Sequence, residues 1–173
     1  DLGFGQGSPI EVVAELYGTG GSKTDSNVGL RLANSEIARR VLEIDRLPDF
    51  GGRVKPGPAD DMIYSVTNGT SIADDMGRSG CRWERSDKGP GSRITGWAKI
   101  RQMLANSASN PDQPGLYFFT TCRHTISTLP VLPRDERVPD DVDTDAEDHI
   151  GDVIRYRLNQ KRRSVVERKV LGF

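Results

Sequence analysis

The chain has 173 residues, 35% of them hydrophobic and 28% charged, with a formal net charge of −1; that length suits one domain with its own core, and we expect residues 1–173 to form one. The charge balance excludes a protein coated in positive potential, although a local basic strip beside an acidic site stays compatible with nucleic acid. No apolar run approaches the roughly 20 residues needed to cross a bilayer, which excludes a helical membrane span.

Cys81 and Cys122 stand far apart with no Cys-x-x-Cys pair. That spacing gives neither a disulfide framework nor a zinc ribbon and fits a reducing, cytoplasmic setting. The chain opens at Asp1 with neither a methionine nor a basic, apolar leader, as expected of a fragment or a trimmed chain.

In chain order, residues 10–17 (Ile-Glu-Val-Val-Ala-Glu-Leu-Tyr) are dense in β-formers and end at Gly18, which predicts a strand. A Gly, Ser and Thr-rich loop follows to Asn27. From Ser35 the apolar residues Ile37, Ala38, Val41 and Leu42 fall at helical spacing up to Pro48, with Asn34 or Ser35 as the expected cap. Residues 53–60 suit a short strand that delivers Asp60 at its end, where open α/β sheets put their chemistry. Asn68-Gly69 signals a turn, and Thr70-Ser71 then precedes a helix carrying Ile72, Ala73 and Met76.

Residues 81–84 predict another short strand, 87–93 a polar loop, and Ile94, Trp97, Ile100, Met103 and Leu104 a helix. The run Gly115-Leu-Tyr-Phe-Phe-Thr120 has the continuous apolarity of a strand buried on both faces. Residues 130–145 form an acidic, proline-rich connector, and residues 146–160 a helix with Ile150, Val153, Ile154 and Leu158 inward; the tail from Lys161 is basic. Strands alternating with helices predict an α/β domain.

Two phosphate motifs fail on inspection. Gly3-Phe-Gly5 opens like a dinucleotide fingerprint, yet Ser8 stands where a glycine is needed and no strand precedes it. Gly18-Thr-Gly-Gly-Ser22-Lys23-Thr24 has Ser22 where a P-loop requires glycine. Flexible glycine loops account for both.

The carboxylates are more informative. Magnesium and manganese prefer hard oxygen ligands, and two such ions about 4 Å apart serve phosphodiester hydrolysis when aspartates from separate elements hold them. Asp1 precedes a glycine-rich turn, Asp60 ends a strand, and Asp152 lies on the last helix among apolar neighbours. On spacing alone, ordinary surface acids remain an open alternative. On that helix Asp148 and Asp152 are four residues apart and share a face, with His149 and Arg155 each three from Asp152. Gly151 costs roughly 1 kcal/mol against alanine inside a helix, so something is expected to approach closely there.

Several segments, taken together and in this order, resemble the nuclease domain of tailed-phage terminase large subunits. They are Glu15-Leu-Tyr-Gly18, Gly57-Pro-Ala-Asp60-Asp-Met-Ile-Tyr64, Asn68-Gly-Thr-Ser-Ile-Ala-Asp-Asp-Met76, Arg93-Ile-Thr-Gly-Trp97, Gly115-Leu-Tyr-Phe-Phe, Cys122, Thr128-Leu-Pro130, Asp143-Thr-Asp-Ala-Glu-Asp-His149 and Asp152-Val-Ile-Arg-Tyr156. The resemblance implies an RNase H-like fold, a central mixed sheet flanked by helices, and a metal-dependent endonuclease that cuts concatemeric viral DNA during packaging. It also implies two Mg2+ or Mn2+ ions, held by Asp1, Asp60 and Asp152 as the catalytic acids of a two-metal phosphodiester hydrolysis. Asp148 and His149 are then secondary site residues, and Asp61 an alternate for Asp60.

The implied partners are double-stranded DNA, a small terminase subunit, a portal and an ATPase domain, in the host cytoplasm, with no membrane. Where the family has a full strand between its Asp-x-Gly motif and Glu-Leu-Tyr-Gly, only Gln6 to Pro9 intervene here, so a shortened or incomplete N-terminal region is expected.

Other residues carry two readings each. Arg82, Arg85, Lys88 and Arg93 flank a loop and either follow a DNA backbone or form a solvated charged surface. Trp83 and Trp97 either stack on bases or, for Trp97 at helical spacing, belong to the core. Cys122-Arg-His124 either ligates a metal or is a buried cysteine beside a helix start. Lys161, Arg162, Arg163, Arg168 and Lys169 either contact DNA or a packaging component, or form a solvated tail. A non-catalytic DNA-clamping or motor-coupling module with a vestigial acidic cluster is the rival function, and a cellular relative resolving branched DNA a third.

Overall fold

A computed structural model of the chain describes residues 9–18, 29–50, 54–110 and 112–160. Within them the order is β1 (Ile10–Val12), α1 (Asn34–Asp45), β2 (Pro58–Ala59), α2 (Ile72–Arg78), β3 (Glu84–Arg85), α3 (Ser92–Ser109), β4 (Leu116–Phe118), α4 (Arg123–Thr128) and α5 (His149–Asn159). The fold is mixed α/β, with the alternation that the periodicities predict and α4 added before the connector.

Among the described residues the strands form two separate parallel pairs. Ile10 of β1 lies opposite Leu116 of β4, and Pro58 of β2 opposite Glu84 of β3. β1 stops at Val12, well short of the predicted Tyr17, because the chain turns so that Glu15 caps α4. Its carboxylate accepts the His124 N–H at 2.7 Å, the Thr125 N–H at 3.0 Å and the Thr125 hydroxyl at 2.8 Å. Burial pushes the Glu15 carboxyl up, but these donors outweigh it and leave the group below its ordinary value.

β4 departs from the expected doubly buried strand. Leu116 is buried and Phe118 packs on the core, whereas Tyr117 and Phe119, pointing the other way, are exposed. This is the period-two alternation of a strand covered on one face.

Helix ends follow local chemistry. Ser71 and Asp74 form a reciprocal capping box at α2, the side chain of each bonding the other's backbone N–H. Asn68 and Gly69 take φ of 53° and 86°, the left-handed turn that lets Thr67 and Thr70 pair. At α1 the cap position falls on Ala33, with no side-chain cap, rather than on Asn34 or Ser35; the Asn34 amide donates to Asp75 at 3.1 Å instead and ties α1 to α2.

Two apolar clusters hold the elements together. Trp97 and Ile100 of α3, Leu116, Val142 and Ile154 of α5 form one, and Ala38, Met76 and Cys81 the other, between α1 and α2. The α3–α5 contact is close because each helix offers a glycine to a large side chain of its partner. A Cβ on Gly96 would overlap Arg155, and one on Gly151 would overlap the Trp97 indole. The close approach that Gly151 signals is therefore Trp97, a packing requirement.

This seat also sets the rotation of α5. Gly151, Ile154, Arg155 and Tyr156 face inward, while Val153, expected inside, is 61% exposed. α5 starts at His149 rather than at Ala146, after a series of turns from Asp143.

Candidate active site

β2 is only two residues long, yet it fixes where Asp60 stands. The Glu84 N–H donates to the Gly57 carbonyl at 2.8 Å and the Ser86 N–H to the Ala59 carbonyl at 3.1 Å, so Asp60 leaves the carboxyl end of β2 beside the end of β3. There it caps a short 3-10 turn, Asp61–Tyr64, accepting the Met62 N–H at 2.8 Å. α5 packs across β2 and carries Asp152 and Tyr156, one turn apart, to the same place.

The Tyr156 hydroxyl joins the two acids. It donates to Asp60 Oδ2 at 2.6 Å and lies 3.2 Å from Asp152 Oδ2. Lys88 Nζ sits 2.5 Å from Asp60 Oδ2. On the other carboxylate, Arg155 donates to Asp152 Oδ1 through Nε at 3.0 Å and Nη2 at 2.9 Å. The Tyr156 ring carries Arg155 at 4.7 Å and Lys88 at 5.2 Å from its centroid.

Burial pushes the Asp60 carboxyl up, but Lys88, the Met62 N–H and the Tyr156 hydroxyl outweigh it and hold the group at about 2. The same carboxylates, added to burial, push the Tyr156 hydroxyl well above its ordinary value, so it is a proton donor throughout the working range.

Asp148 belongs to this neighbourhood through Arg93. The guanidinium donates from Nε to both oxygens of Asp141 at 2.8 and 2.9 Å and from Nη2 to Asp148 at 3.1 Å and the Val142 carbonyl at 3.1 Å. Its Nη1 reaches Asp152 at 3.4 Å. Burial draws the Arg93 pKa down, and the three carboxylates more than restore it. Arg93 therefore spends its fork on the acid cluster.

The remaining predicted residues lie around this centre. Asp61, next to Asp60, is 3.6 Å from Arg85, and Arg85 lies over the Tyr64 ring at 4.2 Å. Arg82 is exposed on the same connection. His149 opens α5, exposed, with its Nδ1 3.9 Å from Asp148. Asp1 and the tail from Lys161 lie outside the described residues.

Trp97 is core, 2% exposed, and Trp83 packs on the second cluster. Cys122 is buried at the start of α4, its thiol donating to the Val12 carbonyl at 3.3 Å, while the His124 ring stacks on Tyr17. Burial raises the Cys122 pKa, in keeping with a thiol packed in the interior.

Asp60 and Asp152 supply hard oxygens from separate elements, with side chains 36% and 20% exposed, so both are reachable from solvent. Among the described residues no group of three His, Cys, Asp or Glu side chains converges closely enough to hold an ion. Tyr156 and Asp141 are site residues that the sequence reading does not single out, whereas Arg155 is noted there for standing three residues from Asp152. For Tyr156 the signal is its position four residues after Asp152, on the same helical face. Comparison with known proteins finds no family model, no curated protein and no solved structure that matches the chain.

Proposed function

We propose that the chain is a divalent-metal-dependent DNA endonuclease with an RNase H-like fold, of the kind that trims concatemeric viral DNA during packaging. The observation that carries this reading is that Asp60 and Asp152, far apart in sequence, share the Tyr156 hydroxyl at the carboxyl end of a parallel strand. Such strand ends are where α/β folds place their chemistry. Parallel strands alternating with helices add support for the fold, and the family resemblance supplies the reaction class.

In this reading Asp60 and Asp152 hold Mg2+ or Mn2+, with Asp1 as the third acid and Asp148 and His149 beside them. The ions would supply Lewis acidity toward a phosphoryl oxygen and a water acidified to attack it. The protein's own part is to keep Asp60 ionised and to fix both carboxylates through Tyr156. Arg82 and Arg85, exposed on the β3 side of the site, would follow the DNA backbone in this reading. The small terminase subunit, portal and ATPase domain would be its partners in the host cytoplasm.

The test is plasmid nicking in Mg2+ or Mn2+, with a chelator control. D152N and D60N are expected to abolish cleavage while the far-ultraviolet dichroism stays unchanged. Full activity in D152N would sink the assignment. One observation favours a non-catalytic DNA-clamping module: Lys88, Arg93 and Arg155 already pair with Asp60 and Asp152. Metal-independent DNA retention in a gel-shift assay, without nicking, is the result that reading requires.

A further inference from the structure

The Asn68-Gly69 turn lies between the 3-10 turn that Asp60 caps and the start of α2. Both residues are exposed and left-handed, with φ of 53° and 86°. The Thr67 N–H closes the turn on the Thr70 carbonyl at 2.9 Å, and the Thr70 N–H returns to the Thr67 carbonyl at 3.4 Å. Among the described residues nothing bonds the Asn68 carboxamide or the Gly69 N–H. A Cβ added to Gly69 would meet nothing within 4 Å, so that side of the turn is open to solvent.

The other described asparagines lack this freedom. Asn34 donates its amide to Asp75 at 3.1 Å, Asn106 to the Pro114 carbonyl at 2.9 Å and Asn159 to the Ser92 carbonyl at 2.6 Å. Asn110 precedes Pro111, which has no N–H.

A free carboxamide beside an exposed glycine N–H can react within the chain. The Gly69 nitrogen gives up its proton to solvent base and attacks Asn68 Cγ. A bond forms between nitrogen and Cγ, the Cγ–Nδ2 bond breaks, and Nδ2 leaves as ammonia. The cyclic imide then takes up water: opening at Cγ gives aspartate, and opening at the main-chain carbonyl gives isoaspartate, in which the chain continues through Cγ. No electrons are transferred, and water is the co-reactant.

We infer that Asn68 is a self-modification site, the asparagine that this fold presents for deamidation while the other described ones are held or precede proline. The chemistry is independent of any reaction at Asp60 and Asp152. Either product makes a chain of net charge −1 one unit more negative, just ahead of α2. Isoaspartate also lengthens the main chain by a methylene inside the Thr67–Thr70 pair and so disturbs the entry to the Ser71–Asp74 capping box. Aspartate keeps the backbone and tolerates the left-handed turn as asparagine does.

The test is incubation of the purified chain at mildly alkaline pH, native and in urea, followed by peptide mapping with mass spectrometry. In the native sample the peptide holding Asn68 is expected to gain about one dalton, the exchange of NH2 for OH, and to split into two isomers. Its rate should exceed that of the peptides holding Asn34, Asn106 and Asn159 by about ten-fold, since a glycine nitrogen is the least shielded by a side chain. N68D should show no mass gain in this peptide and a urea midpoint near that of the parent, whereas the midpoint of the aged, isoaspartate-rich parent should fall.

If Asn68 stays intact in the native chain while it reacts in urea, the turn protects it and the inference is overturned. Equal rates at Asn68 and the held asparagines overturn it too, because the fold then selects nothing. An unchanged midpoint in the isoaspartate-rich chain overturns the coupling to α2.

Discussion

Tyr156 is the residue on which the site turns, because a single hydroxyl proton serves two carboxylates that would otherwise repel. Removing it in Y156F leaves Asp60 to Lys88 and the Met62 N–H alone. We expect the Asp60 carboxyl to titrate higher than about 2 in a carbon-detected NMR titration, and stability to fall by about 1 kcal/mol, the net worth of one hydrogen bond. The sign of the acid response follows from the same depression. Asp60 is held at about 2 in the folded chain against an ordinary 3.8, so its contribution is complete above 3.8 and is lost as pH falls from there toward 2. A urea series across that window should show stability declining more steeply in the parent than in D60N. At this scale the sequence marks Lys88 only as a loop cation, against a DNA backbone or in a solvated surface; its pairing with Asp60 is not legible, because a charged loop residue looks the same whether it points to water or back at a strand end.

Among the elements, the α3–α5 contact is the most exacting. G151A gains roughly 1 kcal/mol of helix propensity, yet its methyl must displace the Trp97 indole, and overpacking of this kind costs about 1–3 kcal/mol. We expect a net loss in urea denaturation, accompanied by a shift of tryptophan fluorescence as Trp97 moves. S71A, which breaks the capping box of the seven-residue α2, should cost about 1 kcal/mol, measured the same way. Element type was legible wherever the pattern was periodic or the turn chemistry explicit, as at α1, α3 and Asn68-Gly69. What was not legible came from partners distant in sequence. Glu15 ends β1 early because α4 needs a cap, and Val153 faces solvent because Gly151 seats on Trp97. Neither cause is visible in a local window, so the predicted β1 ran too long and the predicted inner face of α5 was misrotated.

Across the whole molecule, Arg93 links α3 to the connector at Asp141 and Val142 and to α5 at Asp152. Replacing it by methionine leaves three carboxylates without their shared cation. We expect R93M to lose on the order of 2–3 kcal/mol in denaturant unfolding, toward the lower end of what an orphaned buried charge costs because the group is partly solvated. R93K should recover only part of that, since an ammonium cannot serve three acceptors in a fork. The α/β alternation of the whole was legible from strand and helix order. How the short strands divide into two parallel pairs was not, since register between segments of two or three residues is set by packing. The pairing of β1 with β4 also has a consequence in time. The contact of Cys122 with Val12 spans 110 residues, so a chain emerging from the ribosome holds β1 without its partner until all the residues between them have been made. Loops of that size close late and fold slowly, and we expect refolding from urea to be governed by this closure, with Glu15 and α4 docking in the same slow phase rather than before it.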